Sequence, residues 1–100
     1  MVRKGQIYRC KAKLPVICMT SWSAPFTGGH ERVLPRGESF KISNDPPASA
    51  TAVYADPINY DELHAILIPD DDRKAKNYVG FYLCVQLEQI ESDCELIGNS

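Results

Sequence analysis

The sequence predicts a mainly β protein: a small antiparallel SH3-like barrel or sandwich of five to six short strands with one or two helical turns. Several short runs alternate apolar and polar residues, which is typical of strands with one buried face. Seven Pro and six Gly in 100 residues indicate many turns and leave little room for long helices. The strand–helix–strand spacing of a parallel sheet is absent, so we expect mostly antiparallel pairing.

The strongest run covers residues 78–90. Its apolar positions alternate without a break at Val79, Phe81, Leu83, Val85 and Leu87. If fully extended, the run would span about 43 Å, which is too long for a domain with a radius of gyration of about 13 Å. From its last residues onwards the spacing becomes helical, at Leu87, Ile90, Cys94 and Ile97. We therefore expect a central strand that bends at Gly80 and ends near Leu87, followed by a helical turn over 88–96.

Residues 5–14 are predicted to form the first strand. Its apolar face carries Tyr8, Cys10, Ala12 and Leu14, and its basic face carries Arg9, Lys11 and Lys13. Because Pro15 cannot donate to a ladder, residues 16–20 form either a second strand or a kinked continuation of the first. Two further short strands are expected over 38–42 and 50–55, and residues 32–34 are expected to touch the sheet briefly.

The segment 59–68 fits two interpretations. Tyr60, Leu63 and Leu67 lie on one helical face, whereas His64, Ile66 and Ile68 alternate as in a strand. We predict one helical turn at 59–62 and a short strand at 63–68. Residues 69–77 are then an exposed charged loop. A disordered tail is expected over 98–100, which leaves 1–97 as a single small β-barrel domain.

The net charge is −2, but the charged residues are distributed unevenly along the sequence. Residues 1–41 contain eight Lys and Arg against two acids, and residues 42–100 contain three against eleven. The basic half either faces an anionic partner or pairs with the acidic half in the folded chain.

Four cysteines, Cys10, Cys18, Cys84 and Cys94, lack the Cys-x-x-Cys spacing of zinc and redox sites. The first residues have no apolar stretch of the signal-peptide kind, and no run is long enough to cross a membrane. We therefore expect a cytoplasmic protein without a membrane partner, with reduced cysteines that pack as small apolar side chains.

No combination of residues predicts catalysis, a metal site or a cofactor. Ser21, Ser23 and Thr27 lie near His30 without a nucleophile elbow. His30 and His64 do not belong to a ligand pattern, and residues 70–72 lack the glycine and distal glutamate of a calcium loop. The protein is therefore expected not to be an enzyme.

The best candidate for function is the loop over residues 22–36, which combines aromatic and basic side chains. Its candidate binding residues are Trp22, Phe26, His30, Arg32 and Arg36, with Arg9, Lys11 and Lys13 on an adjoining strand face. Such a surface suits an acidic peptide or single-stranded nucleic acid, so the partner is an unidentified protein or nucleic acid. In the alternative interpretation, Trp22 and Phe26 form a lid over Tyr78, Tyr82 and Cys84. A homodimer through residues 78–87 or a sheet edge is a third hypothesis.

Residues 3–8, Arg-Lys-Gly-Gln-Ile-Tyr, resemble the opening Arg-Gly-Asp-Ile-Tyr of the MazF/PemK family of endoribonuclease toxins. Residues 15–18 (Pro-Val-Ile-Cys) and 87–90 (Leu-Glu-Gln-Ile) resemble its Arg-Pro-Val-Val strand and late Leu-Asp-Gln-Ile. The resemblance implies an SH3-like barrel that cuts RNA as a dimer. Leu14 stands where the family has its catalytic arginine, and the family's loop before the proline is nearly missing. A nucleic-acid-binding or MazF/PemK-like endoribonuclease barrel is therefore the alternative to a non-catalytic binding module.

Overall fold

The structure is a computed structural model that describes residues 1–20, 29–74, 78 and 80–99. These residues form seven strands and three helices. In chain order they are β1 (Gln6–Cys10), β2 (Leu14–Met19), β3 (Gly29–Leu34), β4 (Ser39–Ile42), β5 (Ala52–Pro57), α1 (Tyr60–Leu67), α2 (Asp70–Arg73), β6 (Tyr82–Gln86), α3 (Leu87–Asp93) and β7 (Cys94–Asn99).

The strands form one sheet in the order β3-β2-β6-β5-β4-β1-β7, and all of its ladders are antiparallel. The predicted mainly β, antiparallel fold is confirmed, with seven strands instead of five to six. Among the described residues no ladder joins β3 to β7, so the sheet is open at these two edges. Strand pairing within the described part of the chain therefore does not close the sheet into a barrel.

The sheet nevertheless curves strongly. β2 and β1 are four positions apart in the strand order, which corresponds to roughly 19 Å in a flat sheet. The chain from Cys10 to Leu14 reaches at most about 14 Å. In addition, the backbone N–H of Gly37, just after β3, donates to the carbonyl oxygen of Cys10 at 2.9 Å. The two halves of the sheet must therefore curl towards each other at this end.

The core lies on the concave face of the sheet. Its fully buried side chains include Leu14, Leu34, Phe40, Ile42, Val53, Leu83 and Val85. Leu63 of α1 and Ile90 of α3 pack against this face and are each 1% exposed. Burial of one such side chain contributes about 1.5–3 kcal/mol, so this face stabilises the fold.

The first predicted strand is divided in two. β1 ends at Cys10 and β2 begins at Leu14, and Ala12, which was expected on the buried face, is exposed. Lys11 and Lys13 therefore lie in a tight connection and do not share a strand face with Arg9. An alternating pattern that continues across a short turn cannot be distinguished from one longer strand by period alone.

The segment 59–68 is also different from the prediction, because α1 continues to Leu67 and no strand forms at 63–68. Leu63 and Leu67 are 1% and 5% exposed, whereas Ile66 is 64% exposed. The helical pattern of Tyr60, Leu63 and Leu67 therefore prevails over the strand-like alternation that includes Ile66 and Ile68. In the following segment, which was predicted to be a loop, residues 70–73 form α2.

The central strand is shorter than predicted, because β6 begins at Tyr82. Gly80 has a φ of +91°, which confirms a bend before the strand. α3 confirms the helical turn predicted over 88–96, but it begins at Leu87 and ends at Asp93. Gly98 and Asn99 were expected in a disordered tail, but they pair with β1 as part of β7. In the part of the chain that the structure describes, no helix is both long and apolar enough to span a membrane.

Candidate binding groove

A groove of about 390 Å³ lies on the convex side of the sheet, where β2, β3, β6 and α3 meet. It is lined by Pro15, Val16, Ile17, Glu31, Arg32, Val33, Cys84, Gln86 and Gln89. The alternation of side chains along each strand turns Pro15, Ile17 and Val33 outward and leaves Leu14 and Leu34 in the core.

Pro15 helps to open this groove. The β2–β6 ladder runs from Ile17 to Met19 and does not include Pro15, whose nitrogen has no hydrogen to donate. At the corresponding end of β6 the chain turns into α3, and the backbone N–H of Leu87 donates to Thr51 at 2.9 Å. β2 and β6 therefore separate beside Pro15, and Gln86 and Gln89 line the resulting space.

The floor of the groove is apolar. Ile17 and Val33 are 36% and 49% exposed, and Cys84 is half-buried between strands. Burial raises the pKa of the Cys84 thiol, so this sulfur is neutral near pH 7. Contact with an apolar ligand would remove this surface from water.

Gln89, which lines the groove, has an unsatisfied hydrogen-bond acceptor. Its side-chain Oε1 is buried and has no hydrogen-bond partner among the described residues. A buried acceptor without a partner costs about 1–3 kcal/mol, so rotation of the Gln89 side chain towards a hydrogen-bond donor in the groove would recover that energy. The exposed carboxylate of Glu31 adds a second acceptor on the opposite wall.

Arg32 was predicted to contact a partner, but its guanidinium makes intramolecular hydrogen bonds. Nε donates to the carbonyl oxygen of Leu67 at 2.9 Å, and Nη1 donates to that of Glu31 at 2.8 Å. The half-buried side chain thus connects β3 to the end of α1, and it forms part of the groove wall.

The structure brings three of the predicted basic residues together. Leu14 pairs with Leu34, and the Gly37 N–H binds Cys10, so the connections that carry Lys11, Lys13 and Arg36 lie at the same end of the sheet. All three side chains are exposed. We refer to Lys11, Lys13 and Arg36 as the basic end, and it adjoins the groove at Pro15.

Arg9 does not belong to the basic end. Its Nε donates to Glu95 Oε1 at 2.9 Å across β1 and β7. His30 is half-buried on β3, opposite Cys18. Trp22 and Phe26 lie outside the described residues, so the choice between lid and contact surface stays a prediction.

A cluster of aromatic side chains around α1 was not predicted from the sequence. Tyr60 and His64 of α1 stack with Phe81 at ring-centroid distances of 4.7 and 5.7 Å, and His64 Nε2 shares a hydrogen bond with Tyr78 Oη. Tyr60 Oη accepts from the Phe81 N–H at 3.1 Å. The i,i+4 spacing of Tyr60 and His64 was the available indication, but it becomes informative only once α1 is known to be a helix.

Burial, followed by the positive charge of Arg73, lowers the pKa of His64, and burial raises the pKa of Tyr78. Both shifts favour the neutral forms, so the pair is uncharged near pH 7. The aromatic contacts attach the segment before β6 to α1, which is a structural role. Within the described ranges, no group of three or more His, Cys, Asp or Glu side chains could hold a metal ion.

Two of the stretches that resemble the MazF/PemK family meet in the groove, since Pro15 and Gln89 both line it. Leu14, at the position of that family's catalytic arginine, is fully buried in the core. No protein-family model, curated protein or solved structure matches this chain.

Proposed function

We propose that this protein is a non-catalytic binding module whose groove holds an extended peptide with apolar and acidic side chains. The observation that carries the proposal is the groove itself, in which the apolar surface of Pro15, Ile17 and Val33 leads to the basic end. Recognition sites commonly combine an apolar floor with a few placed polar groups.

The polar groups of the groove favour a peptide over a nucleic acid. The unpartnered Oε1 of Gln89 and the carboxylate of Glu31 are acceptors, and a peptide backbone supplies N–H donors for them. A phosphate backbone would bring further acceptors and negative charge towards Glu31. The basic end suits acidic side chains that continue beyond the apolar part of such a peptide.

A binding role also fits the chemistry of the lining residues. Among the residues that line the groove, the thiol is that of Cys84, and its raised pKa disfavours the reactive thiolate. The Glu31 carboxylate has no histidine, serine or second carboxylate beside it in that lining. These residues do not form a nucleophile–base pair.

The test uses fluorescence anisotropy with labelled short peptides in which a run of valines is followed by glutamates, or by lysines, and with single-stranded RNA and DNA. We expect the Val/Glu peptide to bind and its affinity to fall as salt increases, because the charges at the basic end are exposed. Preference for RNA or DNA, with salt-dependent affinity and RNA cleavage, would instead establish the MazF/PemK-like alternative.

Two pairs of variants locate the site. Lys13→Gln with Arg36→Gln should weaken Val/Glu binding several-fold, whereas Arg3→Gln with Lys4→Gln, which changes charge equally at the other end of β1, should not. Val33→Asp should weaken binding about tenfold, equivalent to ~1.4 kcal/mol. The control Ile58→Asp is at a comparably exposed position, 55% against 49% for Val33. Equal effects within either pair would reject the groove as the site.

Three finer expectations belong to the same proposal: an SH3-like form of the curved sheet, a cytoplasmic location and self-association into a homodimer. The open edges at β3 and β7 support the last of these, because unpaired strand edges can pair between chains. Sedimentation at several protein concentrations tests it, and a monomer throughout would remove the dimer from the proposal.

A further inference from the structure

We propose that Cys10 and Cys94 are a modification site, at which a small-molecule disulfide converts the two thiols into a reversible cross-strand disulfide. The two residues are direct partners in the antiparallel β1–β7 ladder. Side chains of directly opposed residues lie on the same face of a sheet, and both cysteines are buried in the core at 2% and 6% exposure.

The backbone hydrogen bonds define the type of pair. The N–H of Cys10 donates to the Glu38 carbonyl, and its carbonyl accepts from the Gly37 N–H, each at 2.9 Å. Both groups therefore point away from β7, and Cys94 donates its own N–H to Ile90 at the end of α3. Cys10 and Cys94 consequently form a non-hydrogen-bonded pair, in which the Cα atoms are about 4.5 Å apart. That distance lies within the range found for disulfides, about 4.4–6.8 Å.

The other two cysteines provide an internal comparison. Cys18 and Cys84 are on neighbouring strands, but Cys84 pairs with Ile17 and Cys18 pairs with Leu83. Cys18 is fully buried in the core, whereas Cys84 lines the groove on the other face. Thiols on opposite faces of a sheet cannot form a disulfide without rearrangement of the backbone.

The two thiols also differ in how readily they lose a proton. The side-chain hydrogen bond between Cys10 and Cys94 lowers the pKa of Cys94 and, together with burial, raises that of Cys10. Cys94 is therefore the thiol that more readily becomes the attacking thiolate. β7 is a terminal edge strand with a register irregularity opposite Ile7 and Tyr8, so local opening gives an oxidant access to Cys94.

The reaction is ordinary thiol–disulfide exchange. The Cys94 thiolate attacks one sulfur of the small disulfide, whose S–S bond breaks to release one thiolate and leave a mixed disulfide on Cys94. Cys10, after losing its proton, attacks the Cys94 sulfur and displaces the second small thiolate. Two protein thiols are oxidised, one small disulfide is reduced to two thiols, and the two protons pass to the released thiolates.

The experiment incubates the reduced full chain with oxidised glutathione and follows intact mass, with peptide mapping after alkylation of the remaining thiols. We expect the mass to fall by two hydrogen atoms, with Cys10 linked to Cys94 and with Cys18 and Cys84 alkylated. Dithiothreitol should reverse the change. The oxidised chain should unfold at a higher urea concentration, because the bond restricts almost the whole unfolded chain.

Three variants make the outcome decisive. Cys10→Ser and Cys94→Ser should each abolish the loss of two hydrogen atoms, and Cys10→Ser should retain a glutathione adduct on Cys94. Cys18→Ser with Cys84→Ser should behave as the unmodified chain does. A disulfide that includes Cys18 or Cys84, or a reduced Cys10–Cys94 pair after prolonged exposure to oxidised glutathione, would overturn the proposal.

Discussion

Arg32 on β3 donates from Nε to the carbonyl oxygen of Leu67 at 2.9 Å, at the C-terminal end of α1. Arg73 approaches the same end, where its Nη2 donates to the carbonyl oxygens of His64 and Ile68, each at 2.9 Å. The last carbonyls of a helix lack intrahelical partners and carry partial negative charge. Two guanidinium groups therefore cap α1, and one of them fixes the helix to an edge strand of the sheet.

Arg32→Ala should lower the free energy of unfolding by about 1–2 kcal/mol, because it removes a charge-assisted hydrogen bond from the partly buried carbonyl of Leu67. Arg36→Ala is the matched control, because Arg36 is exposed in a turn, and its effect should stay within about 0.5 kcal/mol. Urea unfolding measures both. A stable Arg32→Ala variant that loses only peptide binding would contradict the capping role and restore Arg32 as a contact residue.

Gly80 is required for two separate reasons. Its φ is +91°, and a Cβ added there would lie 2.5 Å from Tyr60 Oη. Gly37 has a similar φ of +94° but no atom within 4 Å of an added Cβ. Gly37→Ala should therefore cost only the backbone term, about 1–2 kcal/mol, and Gly80→Ala should cost roughly 3 kcal/mol because of the added clash.

A double-mutant cycle separates these two terms. Tyr60→Phe removes the clashing oxygen, so it should recover part of the stability lost in Gly80→Ala, although alone it destabilises through the lost hydrogen bond from Phe81. Thermal or urea unfolding of the four chains measures the coupling. Additive effects would show that Tyr60 Oη does not restrict residue 80.

His64 should make stability depend on pH. Its pKa is lowered in the folded chain by burial and by Arg73, with Asp61 acting in the opposite direction. Because the folded pKa lies below the unfolded value of about 6.5, the unfolded chain binds the proton first as pH falls. The stability that neutral His64 provides is therefore present above pH 6.5 and is lost as pH falls towards the folded pKa.

Urea unfolding of the wild type and of His64→Gln between pH 7.5 and 5 tests this pH range, with pH values chosen around the reference pKa of about 6.5. The wild type should lose more stability than the variant over this interval. Equal losses in the two proteins would assign the pH dependence to other groups.

The elements that were predicted correctly depend on local patterns. The alternation in β6 and the helical spacing of Leu87 and Ile90 place a strand before a helix, as in the structure. The division at residues 11–13 was missed because the alternation continues through a turn whose position depends on a distant hydrogen bond, from Gly37 to Cys10. Period alone contains no information about such a long-range contact.

The candidate site was predictable only in part, for the same reason. Lys11, Lys13 and Arg36 were identified as basic candidates, but they meet because Leu14 pairs with Leu34 and the sheet curls. Nothing in the sequence identified Gln89 as a site residue, since its unpartnered oxygen results from where α3 begins relative to β2. Strand register and helix position are tertiary properties, and they decide which polar atoms lose contact with water.

Gln89→Leu should separate stability from binding. Its Oε1 is buried without a hydrogen-bond partner among the described residues, so replacement by an apolar side chain of similar size should leave stability unchanged or raise it by up to ~1 kcal/mol. The same change should weaken the Val/Glu peptide about tenfold, because the acceptor for its backbone N–H is lost. Gln86→Leu, at an exposed position of the same groove, is the control that keeps this acceptor. Urea unfolding and fluorescence anisotropy measure the two effects. A Gln89→Leu chain that is destabilised but binds as well as the wild type would mean that Gln89 supports the fold and not the ligand.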